Sequence, residues 1–338
     1  MASSFFPGPP TWVPRMNEKK IKAVGLLSGG LDSTLAARLM LDQGIEVLAI
    51  NFISPFCQCT GKKAGCASVV RAVEQLGNIP LKRVYLGEEY LLMVRGPEHG
   101  YGRGMNPCID CRIMKISRAA EFMKECGASF LFTGEVLGQR PMSQFRRAIE
   151  LIDRKTGMSG LILRPLSAVL FPPTVPEKMG WVDRTRLLGV KGRSRKAQID
   201  LAREKGIADY PCPAGGCRLT DPNFASRLRE YFRHTADPAL ADMPLLKTGR
   251  HFRLENGDRV VVARDEGEGE ILSRIRSEND LLLVPANFSG PTVLLRGSDV
   301  DEALRKIRLY SRKSLPTDAS VECRRGSGST MVSIQEKA

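Results

Sequence analysis

The apolar positions in the first two thirds of the chain follow two alternating periods. Short apolar runs with the length of strands are separated by segments whose apolar residues recur at helical spacing. One such helix starts at Asp32, carries Leu35 and Leu39 on one stripe and ends at Gly44. This alternation predicts an α/β domain with a parallel sheet and right-handed crossovers. The predicted strands lie at residues 21–27, 46–52, 81–86 and 129–132, and further helices at 69–76, 108–126 and 196–205.

A different pattern begins near residue 245. Short apolar runs flank Asn256-Gly257, which is typical of a β-hairpin, and Asp299 with Glu302 forms a capping box before an amphipathic helix. These features predict a small α+β domain. The expected organisation is an irregular arm at 1–20, an α/β domain at 21–235 and the small domain at 243–338.

Charge and cysteine content narrow the class of protein. The 338 residues include 51 basic and 37 acidic side chains, a net charge of +14. Residues 243–338 contribute 16 basic and 14 acidic side chains, so the first 242 residues carry most of the excess, which favours a polyanion such as nucleic acid. No apolar run approaches the roughly 20 residues of a membrane span, and no secretory signal is visible. We therefore expect a cytoplasmic protein in which the nine cysteines are metal ligands, catalysts or core residues.

The segment Ser28-Gly-Gly-Leu-Asp-Ser33 connects the first predicted strand to the first helix. Gly29 and Gly30 let the backbone approach a phosphate, and the helix start offers N–H groups and the positive end of the dipole. The hydroxyls of Ser28 and Ser33 add donors. Asp32 fits a magnesium ion between phosphate oxygens, or simply a helix cap. The segment lacks the lysine of a Walker A loop.

Two cysteines lie three residues apart at the start of a predicted helix. Cys108 and Cys111 can reach one metal ion or cluster, and Cys217 adds a third thiolate from a loop rich in proline and glycine. Three thiolates leave one iron of a [4Fe-4S] cluster open to sulfide, whereas zinc would take a fourth ligand such as Cys212. Spacing alone does not separate the two metals. The roles of three further cysteines stay open between a second metal or redox site and packing; these are Cys57, Cys59 and Cys66.

Several polar residues have two interpretations each. Glu135 and Gln139 follow a predicted strand end, where they would contact a substrate or cap a helix. Arg193, Arg195 and Lys196 would bind the phosphates of a nucleic acid or form a solvated face.

The ordered motifs resemble one enzyme superfamily. Residues 28–33 resemble the signature of the PP-loop ATP pyrophosphatases, which cleave ATP to AMP and pyrophosphate. The segment Thr133-Gly-Glu-Val-Leu-Gly-Gln139 with Ser143-Gln144, and the Cys-x-x-Cys-Arg-x-Met element from Cys108, are similar to the tRNA 4-thiouridine synthetase family. The 2-thiouridylase family is the nearest rival. The resemblance implies an adenine-nucleotide α-hydrolase-like fold and an ATP site at Ser28, Gly29, Gly30, Asp32, Ser33, Asn51, Gly134 and Gln139.

The resemblance also implies the chemistry. Asp32, Cys108, Cys111 and Cys217 are the implied catalytic residues, and the three cysteines are the implied ligands of a [4Fe-4S] cluster. The implied function is an ATP-dependent tRNA sulfurtransferase that uses Mg²⁺ and makes 4-thiouridine in preference to 2-thiouridine. The alternative chemistry is a persulfide on Cys217 that Cys212 or Cys108 resolves. Sulfide or a cysteine desulfurase is the expected sulfur donor, and a homodimer is one option for the assembly.

The tail carries a weaker cue. Gly249-Arg-His-Phe-Arg253 before the hairpin resembles the small RNA-binding domain NFACT-R. Only about 20 residues precede the first strand, so we do not expect the N-terminal RNA-binding module of 4-thiouridine enzymes. We also do not expect a rhodanese-like domain after the α/β domain. Two other functions stay open. They are an amidotransferase or ligase acting on a small molecule, and a zinc-stabilised RNA-binding protein whose ATP site is a relic.

Overall fold

The computed structural model describes residues 20–57, 65–211, 217–312 and 314–334. These fall into two compact units whose segments interleave along the chain. Of the described residues, the first unit comprises 20–53, 65–84 and 111–211, and the second comprises 54–57, 85–110, 217–312 and 314–334. The boundaries predicted at 21–235 and 243–338 remain predictions.

The first unit is built on a five-stranded parallel sheet in the order β3-β2-β1-β4-β5, as the alternating pattern predicts. The strands are β1 Lys22–Leu26, β2 Glu46–Ile53, β3 Leu81–Tyr85, β4 Phe130–Thr133 and β5 Ile162–Leu163. In chain order, the helices up to residue 204 are α1 Leu31–Leu41, α2 Gly65–Gln75, α3 Glu88–Arg95, α4 Cys108–Glu125, α5 Arg146–Lys155, α6 Val175–Lys178 and α7 Lys196–Glu204. Of these, α3 lies in the second unit, and α4 begins there and continues in the first.

Side chains at the centre of this sheet are tightly packed. β1 and β4 are neighbours, and Gly25 pairs with Phe132 in register. A Cβ atom on Gly25 would lie 2.2 Å from the Phe132 ring, so only glycine fits beneath that ring. The helix α1 contributes Leu31, Leu35 and Leu39 to the same core. Burial of these side chains fixes the ends of β1 and β4, where the polar residues of the phosphate loop begin.

The second unit contains a six-stranded sheet in the order β11-β10-β8-β9-β7-β6, antiparallel at each pairing. Both faces are covered: Val260 and Val262 of one strand pack with Ile307, whereas Val261 packs with Leu272. The predicted hairpin and capped helix are both present. The elements are α8 Pro222–His234, α9 Met243–Lys247, β6 Arg250–Arg253, β7 Arg259–Val262, α10 Glu266–Ile275, β8 Leu281–Pro285, β9 Val293–Arg296, α11 Val300–Tyr310, β10 Ser320–Arg325 and β11 Gly328–Ser333.

Candidate functional site

The phosphate loop lies between β1 and α1, as predicted. The Ser33 hydroxyl donates to the Gly30 carbonyl at 2.9 Å and accepts from the Ser28 backbone N–H at 3.2 Å, so the loop is closed by its own serines. Gly30 is the N-cap of α1 and therefore has no side chain to cap the helix. The first turn of α1 thus presents backbone N–H groups in the way that anion sites at helix starts do.

The two loop glycines have different reasons to be glycine. Gly29 has a φ of +75°, and a Cβ there would lie 2.5 Å from the Val69 backbone nitrogen in α2. Gly30 has an extended φ of −87°, and a Cβ added to it would meet nothing closer than the Ser28 hydroxyl at 3.5 Å. Conformation and packing therefore explain Gly29 but not Gly30. Close approach by a ligand, a common reason for glycine in a loop, stays the prediction for Gly30.

Asp32 is held on one side only. Gln139 donates its Nε2–H to Asp32 Oδ2 at 2.7 Å, and Gln139 Oε1 accepts from Gln198 Nε2 at 2.9 Å. Asp32 Oδ1 is buried and has no hydrogen-bond partner among the described residues, although the Arg195 guanidinium lies 3.8 Å away. A buried carboxylate oxygen in this state fits a hard divalent cation, which is the role expected of Asp32.

The end of β4 lies directly against this loop. A Cβ on Gly134 would approach the Ser33 backbone nitrogen to 2.4 Å, so glycine is required where the strand meets the first turn of α1. Asn51, near the end of β2, donates to the Leu27 carbonyl at 2.7 Å. Asn51 therefore fixes the chain just before the phosphate loop, and its contact with ATP stays a prediction.

Glu135 is a buried ionic anchor, neither the helix cap nor the exposed substrate contact that its place after a strand suggests. It is 1% exposed and accepts from Arg112 Nε at 2.8 Å and from Arg164 Nε at 3.1 Å. Burial by itself would raise the pKa of Glu135, but the two guanidinium groups outweigh it and lower that pKa below its usual value. Arg164 binds Asp153 with two further hydrogen bonds. The network joins α4, where Arg112 follows Cys111, to the strand end beside the phosphate loop.

The cysteines fall at three places. Cys108 and Cys111 are partly exposed in the first turn of α4, as predicted. Cys217 and Cys57 face each other as an antiparallel bridge within the second unit, which the sequence pattern did not reveal. The Ser54 backbone N–H donates to the Cys57 sulfur at 3.2 Å. Three other thiols named in the sequence analysis, Cys59, Cys66 and Cys212, have side chains outside the described residues.

A histidine is positioned by the turn between the two α4 cysteines. Asp110 is buried and accepts from the His99 backbone N–H at 3.2 Å, and it lies 2.9 Å from His99 Nδ1. Glu98 completes a group whose ligand-type atoms lie within 4.8 Å of one another. The contact with Asp110 fixes the orientation of the His99 ring at the start of α4.

The predicted RNA-binding residues do not share one environment. Arg193 and Lys196 are exposed at the start of α7, whereas Arg195 is 19% exposed and faces Asp32. The Trp181 ring stacks on the core residue Phe130, with ring centroids 6.5 Å apart. Two site residues that sequence reasoning missed are Arg112 and Gln198. Arg112 follows a motif cysteine, but Gln198 gives no signal because it is a polar residue in an amphipathic helix.

The residues of the segment 249–253, which resembles NFACT-R, stabilise the fold of the second unit. A Cβ on Gly249 would lie 2.6 Å from Val261 Cγ1, and φ there is +75°. His251 donates from Nε2 to the Thr248 carbonyl at 2.9 Å. Burial, reinforced by the positive charge of Arg227, lowers the pKa of His251 to about 4. The imidazole is therefore neutral and structural.

Comparison with known proteins agrees with this arrangement. Residues 19–169 match the family model for the thiamine biosynthesis protein ThiI, and residues 249–338 match the NFACT protein RNA binding domain. The tRNA-specific 2-thiouridylase MnmA of Pelotomaculum thermopropionicum is 23% identical over 94% of this chain and 88% of that protein. A probable tRNA sulfurtransferase of Thermococcus kodakarensis is 31% identical over 35% of this chain and 30% of that protein.

Solved structures with detectable likeness are more distant. A 4-thiouridine synthetase–RNA complex with bound ATP aligns with a TM-score of 0.40 at 21% identity, covering 67% of this chain and 52% of that one. The U34-tRNA thiolase NcsA of Methanococcus maripaludis, with its [4Fe-4S] cluster, aligns with a TM-score of 0.32 at 17% identity, covering 70% and 75%. Among the described residues, none of the helices combines the length and apolar character needed to cross a bilayer. The sequence matches therefore show that residues 19–169 are similar to the ThiI family and that residues 249–338 are similar to the NFACT protein RNA binding domain.

Proposed function

We propose that this chain is an ATP-dependent tRNA sulfurtransferase. The observation that carries the proposal is the ion pair between Arg112 and Glu135, which fastens the helix bearing Cys111 to the strand end beside Asp32. A thiol-bearing helix tied to an ATP-type phosphate loop suits a reaction that uses both. A ligase acting on a small molecule needs the loop but not the thiols. The two family matches support the same choice.

The first step activates the uridine. Its oxygen is a poor leaving group, so it attacks the α-phosphorus of ATP, pyrophosphate leaves, and the oxygen becomes part of an adenylate. The N-terminus of α1 and the Ser28 and Ser33 hydroxyls would bind the phosphates, and Gly30 would let them approach. Asp32 would hold Mg²⁺ through its unpartnered Oδ1, and the cation would neutralise phosphate charge. The proposed ATP site consists of Ser28, Gly29, Gly30, Asp32, Ser33, Asn51, Gly134 and Gln139.

The second step introduces sulfur. Sulfide attacks the activated ring carbon, the carbon–oxygen bond breaks and AMP leaves with the oxygen. Cys108, Cys111 and Cys217 would provide three thiolates as ligands for a [4Fe-4S] cluster, which when bound would supply an open iron for sulfide. The alternative is a persulfide carried on Cys217, whose sulfur comes from a cysteine desulfurase. Zinc held by the same thiolates would serve structure only.

The RNA partner is assigned from the second unit and from surface charge. The NFACT-type domain would contact tRNA, and Arg193 with Lys196 would bind its phosphates. The motif at residues 133–139 favours 4-thiouridine as the product over 2-thiouridine. We expect the enzyme to work in the cytoplasm, where tRNA is modified, and a homodimer is one assembly to be measured by light scattering.

An anaerobic assay tests the proposal. Protein purified without oxygen is analysed for iron and sulfide, then incubated with ATP, Mg²⁺, sulfide and unmodified tRNA, and the nucleosides are separated to distinguish 4- from 2-thiouridine. Wild-type protein should form 4-thiouridine and AMP. Cys217→Ala should abolish thiolation, whereas Cys126→Ala, just beyond the far end of α4, should retain it. Pyrophosphate release without tRNA, or full activity of Cys217→Ala, would contradict the proposal.

A further inference from the structure

Three buried side-chain atoms near the phosphate loop have no hydrogen-bond partner among the described residues. They are Asp32 Oδ1, Arg195 Nε and Gln198 Oε1. Gln139 links two of their side chains, and the third lies within 3.8 Å of Asp32, so they form one cluster in the first unit. Buried polar atoms are nearly always paired, so three unpaired atoms in one cluster favour a polar or charged occupant at this place.

The hydrogen bonds in this cluster have a fixed direction. The Asp32 carboxylate can only accept, so Gln139 must present its amide N–H to Oδ2 and its carbonyl to Gln198. Gln198 is 0% exposed and donates one amide N–H to the Gln139 side-chain carbonyl. The two hydrogen bonds therefore hold Oδ2 in place and leave Oδ1 without a partner among the described residues.

Arg195 approaches Asp32 without bonding to it. The separation of 3.8 Å between Arg195 Nη2 and Asp32 Oδ1 is an ion-pair distance but exceeds a hydrogen bond. Its neighbours Arg193 and Lys196 are exposed to solvent, whereas Arg195 is mostly buried beside the loop. A guanidinium held at this distance has donors left for a second anion, and its planar fork suits phosphate oxygens.

We infer that Arg195 binds the β- and γ-phosphates of ATP, and that Gln139 and Gln198 are positioning residues that hold Asp32 for the magnesium ion. The inference rests on the proposed function because it assumes ATP at this loop. It moves Arg195 from the tRNA surface to the nucleotide site. Gly30 lies two residues before Asp32 in the same loop, and a Cβ there would meet nothing closer than the Ser28 hydroxyl at 3.5 Å.

Equilibrium binding of nucleotides to the full chain tests the role of Arg195. In excess Mg²⁺ and without tRNA, Arg195→Ala should weaken ATP binding at least tenfold and AMP binding less than twofold, because AMP lacks the outer phosphates. Arg195→Lys should recover part of the ATP affinity. The matched control Arg193→Ala should leave ATP binding within twofold of wild type and weaken tRNA binding instead.

The results of these binding measurements distinguish an error in the role of Arg195 from an error in the proposed function. Unchanged ATP affinity in Arg195→Ala would overturn the inference, and lost tRNA affinity in that variant would return Arg195 to the RNA surface. Equal loss of ATP and AMP binding would also overturn it. A wild-type protein that binds no ATP would contradict the proposed function itself.

The positioning role has its own readout. Gln198→Ala should raise the Mg²⁺ concentration needed for half-maximal ATP binding about fivefold, and saturating Mg²⁺ should restore affinity. The control Gln75→Ala removes a glutamine that binds the Asp209 backbone on the surface of the same unit, and it should leave the Mg²⁺ requirement unchanged. An unchanged requirement in Gln198→Ala, with the fold intact by circular dichroism, would refute the positioning role.

Discussion

Two polar clusters, one in each unit, differ in whether their hydrogen bonds are complete. Arg296 of the second unit binds Asp280 through Nε and Nη2 at 3.0 and 3.1 Å, and Asp242 through Nη1 at 2.8 Å. Asp242 in turn accepts from the Tyr231 hydroxyl at 2.7 Å. The cluster around Asp32 in the first unit leaves three atoms without a partner among the described residues. The first arrangement is typical of a cluster that stabilises a fold, and the second is what we expect of the proposed ATP site.

The largest expected effect comes from removing Asp32 from the cluster in the first unit. Asp32→Ala removes the proposed magnesium ligand and should reduce the rate of AMP formation on the order of a thousandfold. The midpoint of thermal unfolding should stay within a few degrees of wild type, because the substitution removes one side-chain hydrogen bond, from Gln139 to Asp32 Oδ2. Radiolabelled ATP turnover and calorimetry measure the two quantities. A folded Asp32→Ala protein with normal turnover would end the assignment of the loop.

The Arg296 cluster of the second unit, whose hydrogen bonds are complete, should show the opposite response. Its disruption should lower stability and leave ATP binding unchanged. Arg296→Met leaves Asp280, which is 1% exposed, as a buried charge without its guanidinium partner. Stability of the second unit should fall by about 3 to 4 kcal/mol, measured by urea unfolding, while ATP binding is unchanged. The control Arg274→Met removes an exposed arginine from α10 and should cost little. Equal stability of Arg296→Met and Arg274→Met would show that the Arg296 cluster does not stabilise the second unit.

Acid should destabilise the second unit through His251. The pKa of His251 is about 4 in the fold against an ordinary histidine value of 6.5, so the unfolded chain binds the proton first. The stability contribution is complete above pH 6.5 and is lost as pH falls towards 4, with a loss of roughly 2 to 3 kcal/mol by pH 4.5. Unfolding titrations of His251→Gln and of the exposed control His234→Gln measure it. The pH dependence should flatten only in His251→Gln, and identical profiles would contradict the assignment.

The loop glycines give the smallest and most selective test. Gly30→Ala should leave the fold intact and weaken ATP binding about tenfold, because nothing but a ligand limits the space at Gly30. Gly29→Ala should instead destabilise the first unit by about 1 kcal/mol or more, since φ is +75° there. Equilibrium ATP binding and thermal unfolding distinguish the two. The contrast fails if Gly30→Ala unfolds the protein or Gly29→Ala does not destabilise it.

How far the sequence predicts these features depends on whether local pattern or distant contact decides them. The parallel sheet and the loop follow from strand-length apolar runs and from the segment at residues 28–33. The helix α10 escapes prediction because two glycines weaken its pattern. A Cβ on one of them, Gly269, would lie 2.8 Å from Thr292 Oγ1, so tertiary packing selects that residue.

The site shows the same division. Asp32 and the α4 cysteines are evident from spacing, whereas the partners of Glu135 lie 23 and 29 residues away and have no local signature. The pairing of Cys57 with Cys217 depends on a bridge between segments 160 residues apart. Arg195 resembles its exposed neighbours in sequence and differs only in its surroundings. Long-range contacts of this kind are visible only in the folded chain.

The most direct test of the central claim is the ratio of AMP formed to thiouridine formed in one anaerobic reaction with unmodified tRNA. We predict one AMP per thiouridine, no AMP without tRNA, and neither product from Asp32→Ala. AMP production that continues without tRNA, or thiouridine that appears without ATP cleavage, would contradict the claim.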